Sequence, residues 1–170
     1  MPNIEIERKF LVLNEEYKQL ATSHYTIVQG YICKEPDRTV RVRIRTEQNG
    51  DSVAYLTIKS KPNDNGFSRF EWEREIDVAD AKQLLDMCLP SVIEKTRWLI
   101  PAFTPYTIHH TPHTATKSSH LIWEVDEFHG RLHGLVIAEL ELEKEDQAYH
   151  KPSFVGEEVT GNPRYYNANM

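Results

Sequence analysis

The chain has 170 residues, room for one domain with a packed core and little for a second. Its 39% hydrophobic and 27% charged residues suit a globular protein, and no run approaches the ~20 apolar residues of a membrane helix. The net charge of −6 is a poor match to nucleic acid, which calls for a basic face.

From the N-terminus, Ile4 and Ile6 alternate with Glu5, Glu7 and Lys9, the period-two pattern of a strand. These charges leave no apolar run or cleavage site for a signal peptide, so a cytosolic protein is expected. Asn14 can cap a helix running to about Ser23, with Tyr17, Leu20 and Ala21 on one side. A weaker strand follows over 25–33. Val40, Val42 and Ile44 then alternate with Arg41, Arg43 and Arg45, and Leu56 and Ile58 alternate with Tyr55, Thr57 and Lys59. Phe70 and Trp72 alternate with Glu71 and Glu73. Asp77 can cap a second helix to about Leu89, with Val78, Ala81, Leu84, Leu85 and Cys88 as an apolar stripe and Pro90 closing it. A second weak strand, 92–100, carries Lys95 and Arg97.

Residues 101–120, rich in Pro, Thr, Ser and His, read as a surface excursion. It holds His109, His110, His113 and His120, with no Cys or carboxylate nearby to complete a zinc site. Two more strands follow. Trp123 and Val125 alternate with Glu124 and Asp126, and Ala138, Leu140 and Leu142 with Glu139, Glu141 and Glu143. The stretch from Ser153 is expected to hold one or two short helices. Turn signals at Asn49-Gly50, over 63–66 and over 129–134 join neighbouring strands as hairpins. The fold class predicted is α+β, mainly β, an antiparallel sheet or barrel in one domain over 1–170. Cys33 and Cys88 lack metal-ligand spacing and read as reduced thiols.

Side chains two apart on a strand share a face, so the charges fall into sets. An antiparallel sheet ordinarily turns such a face to water. A solvated face usually mixes signs, however, and here the signs are sorted. Three strands present only acids, in pairs, and two present only bases. Like charges side by side are unfavourable unless an opposite charge sits between them. Paired acids suit divalent cations, and arginine forks suit phosphate oxygens. A barrel with both kinds of wall would take a polyphosphate with its metal ions, and a divalent cation acidifies water for in-line attack on phosphorus.

The segment Glu5-Ile-Glu-Arg-Lys9 is similar to the ExExK signature of the CYTH superfamily, the triphosphate tunnel metalloenzymes. The resemblance continues through QGY at 29–31, RVRIR at 41–45, LTIKS at 56–60, RFEWEREI at 69–76, IEKTRW at 93–98, WEVDEFHG at 123–130, GLVIAELELE at 134–143 and EVTGNPRYYN at 158–167. It covers nearly the whole chain and is strongest toward short bacterial single-domain members. It implies a closed eight-stranded antiparallel β-barrel forming a tunnel, charged faces inward and helices outside. It implies metal binding by Glu5, Glu7, Asp126, Glu139 and Glu141, with Glu124 close by, and Mg²⁺ or Mn²⁺ as the cofactor. Lys9, Arg41, Arg43, Lys59, Lys95 and Arg97 would hold a small-molecule triphosphate. Glu71 and Glu73 would line the tunnel and orient water or the lysines. Lys95 and Tyr31 match a lysine–tyrosine pair near the scissile phosphate in related tripolyphosphatases, although Tyr31 also reads as a plain wall tyrosine. The catalytic candidates are thus Lys95, Tyr31 and Glu73. The stretch after Arg164 would plug one tunnel end.

The activity expected is hydrolysis of inorganic tripolyphosphate. Adenylate cyclisation, thiamine or nucleoside triphosphate hydrolysis, and polyphosphate binding without catalysis stand as alternatives. No nucleic-acid or membrane partner is expected, and the excursion could support a homodimer. Arg45 and Glu143 read as rim residues, Arg69 and Arg74 as surface pairs, and Trp72, Trp98 and Trp123 as core. Loss of Arg43 or of Arg97 is expected mainly to weaken substrate binding.

Overall fold

The computed structural model describes residues 4–62, 68–88, 92–102 and 121–170. The turn at 63–66, Leu89 and Pro90 at the expected close of the second helix, and the excursion's four histidines lie outside the described residues.

The strands run in chain order as β1 (Ile4–Val12), β2 (Ser23–Glu35), β3 (Arg38–Thr46), β4 (Ser52–Ser60), β5 (Ser68–Ile76), β6 (Ile93–Pro101), β7 (Ile122–Phe128), β8 (Val136–Glu141) and β9 (Val155–Glu158). Helices α1 (Glu16–Leu20) and α2 (Val78–Asp86) interrupt them. The sheet order is β5-β4-β3-β2-β6-β7-β8-β1-β9, and pairing of β1 with β5 closes the first eight strands into a barrel. Every ladder is antiparallel. Closure leaves none of the eight strands with a free edge along its whole length.

Register decides which face looks in. Arg97 pairs with Asp126 across β6–β7, Glu124 with Glu139 across β7–β8, and Glu7 with Glu141 across β8–β1. Paired residues point the same way, so the charged faces meet inside. The apolar faces point out and are covered in two places. Phe10, Trp123, Val125, Ala138 and Leu140 pack with Tyr17 of α1 and with Phe154. Val42, Ala54 and Ile76 pack with Ala81, Leu84 and Leu85 of α2. A third cluster, Tyr31, Ile93, Phe128 and Ile137, lies on the inward faces and packs against Tyr165, Ala168 and Met170. The C-terminal stretch thus stops the barrel at the end where β2 turns into β3.

The structure departs from the sequence reading at two elements. The first helix spans only Glu16–Leu20, although the Asn14 side chain does accept from the Glu16 N–H at 3.0 Å. Thr22 already donates its backbone N–H to Leu99 (2.9 Å), and β2 begins at Ser23 to pair with β6, so strand pairing ends the helix early. The C-terminal stretch supplies strand β9, which takes the flank of β1 where β1 leaves β5, followed by 3₁₀ turns at Pro163–Tyr165 and Asn167–Asn169. Gly156 in β9 permits this: a Cβ there would sit 2.9 Å from Leu13 Cδ2 and 3.0 Å from the Leu11 carbonyl. Trp72 and Trp98 are half-buried on the outer face, while Trp123 is fully buried. In α2, Asp77 Oδ1 accepts from the Ala79 N–H at 2.7 Å, as a capping residue should.

Candidate active site: a charged tunnel

Inside the barrel lies a cavity of about 580 Å³. Its wall includes Glu5, Glu7, Lys9, Tyr31, Arg41, Arg43, Lys59, Glu71, Glu73, Arg97, Glu124, Glu139 and Glu141. Lys95 and Asp126 are not on that wall. They are buried behind it and paired with each other, and Asp126 also accepts from Arg97. Arg45 stands past the wall, paired with Glu47, and Glu143 is exposed beyond β8.

The acids and bases neutralise one another. Arg97 donates through Nε and Nη2 to both Asp126 oxygens at 2.7 Å, through Nη2 to Glu139 at 2.7 Å, and through Nη1 to Glu124. Lys9 bridges Glu7 and Glu139. Lys59 reaches Glu5 at 2.8 Å and Glu71 at 2.5 Å. Glu73 takes Arg43 at 3.2 Å, Arg41 at 3.5 Å and the Thr57 hydroxyl at 2.6 Å. Its partners are therefore arginines rather than lysines. Burial alone would raise the carboxyl of Glu139, but Lys9 and Arg97 hold it well below the usual range.

Arg69 corrects the sequence reading. It lies on the cavity wall, and its Nε donates to Glu5 Oε2 at 2.9 Å. The signal was present, because Arg69 is two residues before Glu71 and must share its face. Arg74 does face outward, over the Trp72 ring. The tail expected at one tunnel end supplies Tyr166, Asn167 and Asn169 to the cavity wall.

The donor set fits a hard divalent cation. Glu7 and Glu141 are directly opposed, and neither is relieved fully by a base. Burial raises the Glu7 carboxyl, with Glu139 adding to the rise. Glu141, the most exposed acid of the group, is pushed up to about 7 by partial burial and by Glu5, Glu124, Glu7 and Glu71. A proton or an oxygen-seeking cation relieves such crowding. Among the described residues no three acid, His or Cys groups already converge on one point. The carboxylates are turned to lysines and arginines, so metal binding entails an exchange of partners.

A pH prediction follows from Glu141. Its folded value lies above the unfolded ~4.3, so the folded state binds more protons between about 4.5 and 7. Stability therefore falls as pH rises through that window. Glu141→Gln should raise the urea midpoint of the metal-free protein at pH 7.5 and leave it unchanged near pH 4.5. An equal effect at both pH values would contradict the assignment.

Residues 3–168 match the CYTH domain. The chain belongs to the CYTH domain family. It is 41% identical to an inorganic triphosphatase of Acetivibrio thermocellus, over 98% of this chain and 92% of that one. It is 32% identical to an inorganic triphosphatase of Nitrosomonas europaea, over 96% and 93%. The crystal structure of the inorganic triphosphatase NE1496 superposes with a TM-score of 0.57 at 29% identity, covering 97% of this chain and 92% of that one. The ExExK strand of this CYTH domain is β1, with Glu5, Glu7 and Lys9 all on the tunnel wall.

Proposed function

We propose that the protein hydrolyses a triphosphate, inorganic tripolyphosphate foremost, with Mg²⁺ or Mn²⁺ bound by the tunnel carboxylates. The observation that carries this reading is the self-neutralised tunnel. Lys9, Lys59, Arg69 and Arg97 hold acids that a metal can take, and every acid of the wall except Glu141 holds a base that a phosphate can take. A metal–triphosphate complex satisfies both sets at once and leaves no buried charge unpaired.

On this reading Arg41, Arg43, Lys9, Lys59, Arg69 and Arg97 hold the phosphate oxygens through charge-assisted bonds. Glu5, Glu7, Glu139 and Glu141 hold the cation, with Glu124 beside them. When bound, the cation neutralises phosphate oxygens and acidifies water. Asp126, behind the wall, positions Arg97 and Lys95. Glu73 keeps Arg41 and Arg43 extended across the tunnel, and Glu71 does the same for Lys59. Tyr31 offers its hydroxyl at the wall, raised in pKa by burial, with Arg41, Arg69 and Lys9 opposing that rise without cancelling it. Lys95 acts from behind the wall by holding Asp126, which grips Arg97. Water adds to the terminal phosphorus, the bridging P–O bond breaks, and pyrophosphate and phosphate leave. Free Cys33 and Cys88 are in keeping with a cytosolic setting.

The test is a parallel assay of the purified protein on tripolyphosphate, ATP and thiamine triphosphate with Mg²⁺ or Mn²⁺. Phosphate release should be fastest from tripolyphosphate and should stop with chelator. Faster formation of cyclic AMP from ATP would replace this reading with the cyclase one, and binding without any release would replace it with a binding module.

A further inference from the structure

Two tyrosines stand on inward faces just beyond the charged cavity, at the end where β3 finishes. Both are already covered. The Arg45 guanidinium carbon lies 4.6 Å from the Tyr25 ring centroid, and Glu47 holds the same guanidinium at 2.6 Å. Arg43 lies 5.3 Å from the ring of Tyr55, its registered partner across β3–β4, while its Nη2 reaches Glu73 at 3.2 Å. The layering is clear at Tyr25. That residue is 9% exposed and the Arg45 side chain 37%, so the guanidinium is the outer layer and the ring the inner one.

Arg45 is the next inward position after Arg43, so this rim continues the phosphate-binding face of β3. A guanidinium stacked on a ring occupies the π-face while keeping its N–H edge free to donate. A ring so covered cannot stack a base, and stacking on open aromatic faces is how proteins hold bases without reading them. What the rim presents instead are N–H donors, which suit phosphate oxygens.

Resting on the triphosphatase reading above, we propose that Arg43 and Arg45 set the specificity of the tunnel by covering Tyr55 and Tyr25. The rim offers guanidinium donors to an unsubstituted phosphate chain and withholds the aromatic face on which a nucleoside triphosphate would stack.

Arg45→Ala uncovers Tyr25 and leaves the cavity wall intact. In that variant kcat/KM for ATP relative to tripolyphosphate should rise about tenfold or more, since stacking on an open ring strengthens binding by about one to two powers of ten. Adding Tyr25→Leu should return the ratio toward that of the unaltered protein. Arg45→Ser is a second truncation with the same expected direction should Arg45→Ala fold poorly. Calorimetric Kd values for ATP and for tripolyphosphate read the same ratio without turnover, so the proposal is tested even if the triphosphatase reading fails. An unchanged ratio in the single variants, or a rise that survives loss of the Tyr25 ring, overturns it. Absence of tripolyphosphate hydrolysis by the unaltered protein overturns the function reading instead.

Discussion

Arg97→Ala should cost about 3–5 kcal/mol of stability, the usual penalty for breaking a buried ion network by removing one member. Arg97 serves Asp126, Glu139 and Glu124 together, and Asp126 is fully buried. Without the guanidinium, Asp126 retains Lys95 and Glu139 retains Lys9, while Glu124 loses its arginine. The expected result is a large fall in the urea midpoint, seen without substrate. Arg43→Ala should behave differently. Its partner Glu73 keeps Arg41 and the Thr57 hydroxyl, and burial together with the adjacent Arg41 already lowers the Arg43 pKa. That variant should keep its midpoint and bind tripolyphosphate more weakly by ~1.5–3 kcal/mol, about ten- to a hundredfold. Equal losses of stability in the two variants would contradict the geometry. Sequence alone treats the two arginines alike, because both sit in basic strands. Only the partners separate them.

Legibility followed the same division between local pattern and long-range pairing. Strict alternation in 4–9, 41–45, 56–59, 70–73, 123–126 and 138–141 places each strand and sorts its faces, since a side chain's face is fixed by parity. The sign of the charges on those faces points inward before any coordinate is known. What alternation does not carry is depth. Asp126 and Glu124 share a face, yet one is sealed behind the wall and the other lines the cavity. Depth depends on which strand lies opposite and how far the tail reaches, and these are tertiary facts. The strand at Val155–Glu158 escaped for a related reason. It is four residues long, contains Gly156, and exists because β1 needs a partner after leaving β5. Arg69 was legible by parity from Glu71 but lay beyond the Phe70–Ile76 alternation, and its role depends on reaching Glu5 across the barrel seam.

Glu7→Ala should reduce tripolyphosphate turnover by two or more powers of ten, the scale set by several kcal/mol of charge stabilisation from a bound cation. Its stability should change little, and this separates it from Arg97→Ala. The base that Glu7 contacts, Lys9, remains bound to Glu139. The carboxyl removed is one that burial and nearby Glu139 already disfavour in its charged form. Loss of Glu7 should also ease Glu141, its directly opposed neighbour, whose acidity should move back toward that of an ordinary carboxylate. The decisive measurement is turnover at saturating tripolyphosphate across a Mn²⁺ titration. A fall in the plateau together with a higher metal midpoint assigns Glu7 to the cation. An unchanged plateau and midpoint would leave the opposed acids without a metal between them and remove the basis for the exchange of partners on which the tunnel's chemistry rests.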